Sequence, residues 1–208
     1  NYTANYLVVG EIIVDSGATG YTLRGVRSGT LSSRHFYIGG ASEGDSAQAF
    51  NTRINEDFTL ETGSGGSIHL RGTQNVTVAQ DKTFTLSQAI VDGNVTLDGA
   101  GTLNDTGVLT VNNGATLNVG GGTLAASGLV TISGEMNISG GTVTSTYTAD
   151  HFKVHGGTLT ISGGQLTTSA ALGVYNNGTV KMTGGRLDAT RLLIRQDNSS
   201  NTSETMKL

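Results

Sequence analysis

Apolar and polar residues alternate along much of this chain, and one alternating phrase recurs. It reads VTLDGAGTL at Val95–Leu103, LNVGGGTL at Leu117–Leu124, MNISGGTV at Met136–Val143, LTISGGQL at Leu159–Leu166 and VKMTGGRL at Val180–Leu187. The first apolar residues of successive phrases lie 22, 19, 23 and 21 positions apart. A period of about 20 to 25 residues with strand-like content marks a β-solenoid, in which each repeat forms one coil. Alternation at period two predicts strand rather than helix. It places Val95 and Leu97, Leu117 and Val119, Met136 and Ile138, Leu159 and Ile161, and Val180 and Met182 in a core. Thr96, Asn118, Asn137, Thr160 and Lys181, between them, face water.

The glycine pairs Gly140-Gly141, Gly156-Gly157, Gly163-Gly164 and Gly184-Gly185 are expected to turn the corner at positive φ, which glycine reaches without a Cβ penalty. One aliphatic residue then re-enters the core: Leu103, Leu124, Val143, Leu166 or Leu187. A second strand precedes the later phrases, at Leu109–Val111, Val130–Ile132, Phe152–Val154 and Leu172–Val174. Asn112-Asn113-Gly114 and Asn176-Asn177-Gly178 read as matched turns, because Asn and Gly tolerate left-handed backbone. One coil cannot bury its apolar side alone, so the coils stack about 4.8 Å apart in parallel ladders around a continuous aliphatic core.

Further strands are expected at Phe58–Leu60, Ser67–Leu70, Val76–Val78, Phe84–Leu86 and Leu192–Arg195. That amounts to about six or seven coils from residue 55 onward, roughly 30 Å of stack. Residues 1–54 hold most of the aromatics and are expected to form a cap of irregular strands, with a short helix over Asp45–Asn51. Residues 55–197 form the coils, and 198–208 a polar tail from which Met206 and Leu208 could dock. The expectation is an all-β, single-domain solenoid, a right-handed parallel β-helix of about 21 residues per coil.

Composition agrees with this picture. Gly is 32 of 208 residues, Pro is absent and charged residues are only 13%, while β-branched residues abound, which points to ordered β-structure rather than disorder. The net charge of −4 argues against nucleic acid as a partner. With no Cys there are no disulfides or thiolate metal sites, a composition that fits exported bacterial proteins. No apolar run reaches the 18 or so residues of a membrane helix. The chain opens at Asn1 without a charged-then-apolar leader, which fits a removed signal or a piece of a larger protein.

The phrase L-x-I-S-G-G-x-L, rich in Gly, Thr, Ser and Asn, resembles the passenger domains of bacterial autotransporters and the autotransporter-associated β-strand repeats of large surface proteins. The resemblance covers roughly residues 84–195. It implies a right-handed parallel β-helix, export, and a surface role in adhesion or assembly. It carries over no binding residue.

Candidate chemistry is sparse. Polysaccharide-cleaving β-helices need clustered carboxylates as acid and base or as Ca²⁺ ligands. Asp92, Asp98 and Asp105 are the candidates, although Asp92 and Asp98 precede Gly as turn aspartates do. His151 and His155 share a strand face but stand about 13 Å apart, too far for one metal, and read as surface histidines. The sequence shows no Ser-His-Asp signature, no phosphate-binding loop and no Gly-Gly-x-Gly-x-Asp calcium repeat. Thr142, Thr144, Thr146 and Thr148 alternate as in a flat ice-binding face, but the column through successive coils, Thr123, Thr142, Gln165, Arg186, breaks.

These features point to a non-enzymatic exported surface or extracellular protein without a cofactor, acting in adhesion or in self-assembly into fibres. The partner is a further copy of the chain, or a host or cell-surface glycan or protein. The segment expected to add to a neighbouring subunit is Tyr6, Leu7, Val8, Val9, Ile12, Ile13 and Val14, with a strand of the chain's own cap as the simpler reading. A polysaccharide-binding or polysaccharide-cleaving β-helix is the alternative, weakened by the few aromatics of the repeat region, Phe84, Tyr147, Phe152 and Tyr175.

Overall fold

Each turn of the chain lays down three short strands, one in each of three parallel sheets, here called A, B and C. A computed structural model describes residues 6–17, 21–24, 35–39, 49–63, 65–195 and 205–207. Among them sheets A and B hold nine strands each and sheet C eight, and every strand neighbours the strands three before and three after it in the chain. One turn runs through Leu109–Val111 in sheet A, Thr116–Val119 in sheet B and Thr123–Ala126 in sheet C. The fold is an all-β parallel solenoid, with no helix among the described residues.

The repeated phrase pairs with itself in the register its spacing predicts. Val95 lies beside Leu117, Leu117 beside Met136, Met136 beside Leu159 and Leu159 beside Val180, all in sheet B. Their side chains, with Leu97, Val119, Ile138 and Ile161, are at most 1% exposed; Met182 packs against them half-buried. The strands foreseen before the phrases, from Leu109–Val111 to Leu192–Arg195, belong to sheet A. The aliphatic after the turn is more than a single re-entry: Leu103, Leu124, Val143, Leu166 and Leu187 each sit in a four-residue strand of sheet C. Phe58 and Phe84 stack along this sheet with ring centroids 5.8 Å apart.

Two expectations about local structure need correction. Ala49–Ile54 is a strand of sheet B, so the expected helix is absent over Ala49–Asn51; Asp45–Gln48 lie outside the described residues. The period-two burial of Thr52 and Ile54 decides the matter, since both point into the core. Of the glycines in the four pairs, only Gly156 (φ 75°) and Gly185 (φ 72°) have positive φ. The others are glycine because adjacent turns stack too closely for a Cβ: one on Gly157 would stand 2.3 Å from the Gly134 carbonyl oxygen. The Asn176-Asn177 turn does use left-handed backbone, at φ 50° and 65°.

The expected division at residue 54 coincides with no break in the ladders. His35–Ile38 pairs with Ile68–Leu70 in sheet A, Ala49–Ile54 with Thr73–Val78 in sheet B, and Tyr21–Arg24 with Phe58–Glu61 in sheet C. In the expected tail, Thr205–Lys207 pairs with Thr179–Lys181 in sheet B. No described helix is long and apolar enough to cross a membrane.

Outside the core, polar columns run along the stack. In sheet C, Thr83, Thr102, Thr123 and Thr142 are in register, and the column then breaks at Gln165 and Arg186. In sheet B, the Asn137 amide donates to Asn118 Oδ1 at 3.0 Å and Asn118 donates to Asn94 Oδ1 at 3.1 Å. Water can replace these bonds, so Asn118→Ala is expected to lower stability by about 1 kcal/mol or less in denaturant titration. A loss several times larger would contradict this account of the amide ladder.

Candidate functional site

The first described rungs of sheet A carry the densest chemistry. Phe36, Ile38, Ile68 and Leu70 point inward and are at most 6% exposed, which anchors two neighbouring strands. Alternation then turns His35 and Tyr37 outward on one strand, and His69 on the next, with Ser67 and Arg71 flanking that strand. Leu70 pairs with Val91 of the following rung, so Asp92 arrives beside Arg71.

These side chains form a hydrogen-bonded chain. His35 Nδ1 lies 2.7 Å from Ser67 Oγ, Ser67 Oγ lies 2.9 Å from His69 Nε2, and His69 Nδ1 lies 2.5 Å from Asp92 Oδ2. Asn112, one rung further, donates its amide to Asp92 Oδ1 at 2.5 Å. The Arg71 Nε lies 3.9 Å from Asp92 Oδ2, and its guanidinium carbon sits 4.0 Å over the Tyr37 ring. Tyr37 and His69 have ring centroids 4.7 Å apart, and His35 meets the edge of His69 at 5.6 Å.

Charge fixes the direction of the bond between His69 and Asp92. Burial alone would raise the Asp92 carboxyl, but hydrogen bonds from His69 and Asn112, and the charges of His69 and Arg71, hold it below the usual carboxylate range. Ionised Asp92 can only accept, so His69 Nδ1 carries the proton given to it. When His69 is neutral, Nε2 is the acceptor, so the Ser67 hydroxyl donates to it and accepts from His35 Nδ1; when His69 is protonated, Nε2 donates to Ser67 instead. Burial, and the proximity of His69, lower the pKa of His35 and favour its neutral form. The neutral form of His69 places a serine hydroxyl beside the acceptor nitrogen of an imidazole whose other nitrogen is held by a carboxylate.

The sequence alone did not offer this grouping: it carries no Ser-His-Asp signature, and the fold brings Ser67, His69 and Asp92 into contact. Two signals were present: Ser67 and His69 are two residues apart, hence on one strand face, and Asp92 follows His69 by 23 residues, about one coil. The carboxylates singled out from sequence are not brought together. Asp92 joins the sheet A chain. Asp98 stands on sheet B, exposed, accepting the Gly99 amide at 2.8 Å as a turn aspartate does. Asp105 ends a sheet C strand and points into the core, fully buried, with neither oxygen in hydrogen-bond geometry. Its burial raises its pKa to about 7, with the Ala89 and Gly107 amides offsetting only part of the effect.

His151 and His155 take separate partners from the next rung. His151 Nδ1 meets the Tyr175 hydroxyl, and the Asn176 amide donates to His155 Nε2 at 2.7 Å. Tyr175 lies over Gly173, where a Cβ would come within 2.4 Å of its ring. Among the described residues no group of three His, Cys, Asp or Glu is placed to hold a metal ion. Two surface grooves of about 310 and 290 Å³ follow the glycine corners; Glu135 in one and Arg186 in the other are their charged lining residues, and neither groove reaches the His69 chain.

The segment proposed for strand addition forms the first described rungs of sheets A and B. Tyr6, Leu7, Val8 and Val9 pair on one side with His35–Ile38, and Ile13 and Val14 pair with Arg53 and Ile54. Val9 and Ile12 pack against the core, Val14 is buried, and Ile13 is 46% exposed. The fold and site thus define a three-sheet parallel β-solenoid carrying a buried polar relay on one lateral face. No protein-family profile, curated protein or solved structure matches the chain.

Proposed function

We propose that this chain is a scaffold of an exported surface or extracellular protein, working in adhesion or assembly through the ends and sides of the solenoid. The observation that carries the reading is the last described rung of sheet A. Leu192 and Ile194 continue the inward columns of Leu172 and Val174, which are 0% exposed, yet are themselves 37% and 49% exposed. An aliphatic core face of this shape is matched by another rung of the same three-sheet cross-section. Among the described residues Tyr6–Val9 and Ile13–Val14 pair on one side, the arrangement that parallel strand addition by a second copy would extend. The Gly-, Thr- and Asn-rich repeat and the lack of Cys support export, in line with the resemblance to autotransporter passenger domains.

Negative-stain electron microscopy across a concentration series tests the assembly half of this reading. Fibres that lengthen with concentration are expected, and Leu192→Asp combined with Ile194→Asp is expected to leave short rods. Isolated rods of the unaltered chain at every concentration would remove self-assembly and leave the lateral faces as the surface in contact with glycan or protein.

A further inference from the structure

The Ser67–His69–Asp92 chain has a consequence independent of assembly. We propose that Ser67 is an acyl-transfer nucleophile, with His69 its general base and Asp92 the group that orients the base, and that the site takes esters of small carboxylic acids. The three roles require a hydroxyl within hydrogen-bond reach of one imidazole nitrogen and a carboxylate on the other. The distances are 2.9 Å and 2.5 Å, to Nε2 and Nδ1 respectively.

Further contacts fit that role better than they fit a plain surface ladder. The Asn112 amide holds the second oxygen of Asp92, which fixes the carboxylate against the ring it orients. Asp92 and Arg71 are largely buried, with side chains 8% and 11% exposed, so the network works in a weakly hydrated environment where its electrostatics are strengthened. His35 Nδ1 is a second imidazole nitrogen on Ser67 Oγ, at 2.7 Å.

Access sets the substrate class. Ser67 is 5% exposed and the His69 side chain 16%. So little exposure at the hydroxyl suits a slim acyl group such as acetyl and excludes a bulky acid. In the first step the Ser67 Oγ–H bond breaks, its proton passes to His69 Nε2, and Oγ bonds to the ester carbonyl carbon. The carbon–alkoxy bond then breaks, and the alcohol leaves with the proton from Nε2. Water repeats the sequence on the acyl-Ser67, giving the free carboxylic acid and restoring the hydroxyl. No oxidant or reductant is involved.

The intact chain can be tested with diisopropyl fluorophosphate and with p-nitrophenyl acetate. Peptide mapping is expected to find phosphorylation confined to Ser67 and a transient acetyl adduct on the same residue. Both are expected to be lost in Ser67→Ala and slowed about 100-fold in His69→Gln, the scale of a general base. Circular dichroism and thermal melts of each variant distinguish lost chemistry from lost fold. Should the variants unfold, labelling of the unaltered chain still decides the matter. A folded wild-type chain whose Ser67 stays unmodified by both reagents, or a folded His69→Gln protein labelled at the wild-type rate, would overturn the proposal.

Discussion

Asp105→Asn is expected to raise stability substantially at pH 8 and to change it little at pH 4. Asp105 is 0% exposed and ends a sheet C strand with its carboxyl inside the solenoid. Its ladder neighbours are Leu86 on one side and Ala126 on the other, and neither can donate a side-chain hydrogen bond. Moving an ionised carboxyl there is costly, so the folded protein keeps the proton until about pH 7, against an ordinary value of 3.8.

Because the folded-state pKa is the higher one, the folded protein binds the proton more tightly than the unfolded chain. The protonated carboxyl costs nothing by linkage below the unfolded pKa. Stability is then lost progressively as pH rises from about 4 to about 7, and the loss levels off near 4 kcal/mol above that. Asn does not titrate and has nearly the same shape, so the variant-minus-wild-type difference should trace that curve. Other carboxylates act in the opposite direction: Asp92 and Asp150 have lowered pKa values and lose stability in acid. Taking the difference between the two proteins cancels them. Urea titrations at half-unit pH steps would measure it, and a flat difference across this window would mean that water or a rearrangement already solvates the carboxyl.

The same residue shows where the sequence could be read and where it could not. Sheets A and B were legible because both inward positions of their strands are aliphatic in most turns, as in Leu159 and Ile161 or Leu109 and Val111. Sheet C was half hidden. Its first inward position is aliphatic, but the second runs Asp105, Ala126, Ser145, Thr168, Ala189, so hydrophobic alternation stops after one residue. The early rungs were obscured similarly, since Thr52 and Gln74 occupy core positions at 1% exposure. Gln74 donates to the Ile38 and Arg71 carbonyls at 2.9 Å, which ties down the corner between sheets A and B. The site escaped for a related reason: His35 and Ser67 are adjacent in space but 32 residues apart, far from the regular period of the later coils.

Glycine at the corners also leads to a prediction that separates two roles a repeated glycine can have. Gly164→Ala is expected to cost about 3 kcal/mol, the upper end of what overpacking does in a close-packed interior, whereas Gly120→Ala is expected to be neutral or slightly stabilising. Neither residue has positive φ, so backbone strain is not at issue. A Cβ on Gly164 would lie 2.2 Å from the Gly141 carbonyl oxygen and 2.6 Å from Ile138 Cγ2. That carbonyl accepts the Gln165 amide at 3.0 Å, so the methyl group collides with an acceptor already fixed in the ladder and cannot be relieved by a side-chain rotation. At Gly120 the nearest atom is the Leu97 carbonyl oxygen at 3.8 Å, an ordinary contact, and the loss of unfolded-state freedom favours Ala. In a solenoid each turn touches only its neighbours, so the damage should localise. Amide exchange is expected to speed up in Thr142–Ser145 and Gln165–Thr168 while Thr83–Leu86 stays protected. Equal melting of the two variants would show that the corners yield to a methyl group, and that the repeated glycines are held by something other than the closeness of the stack.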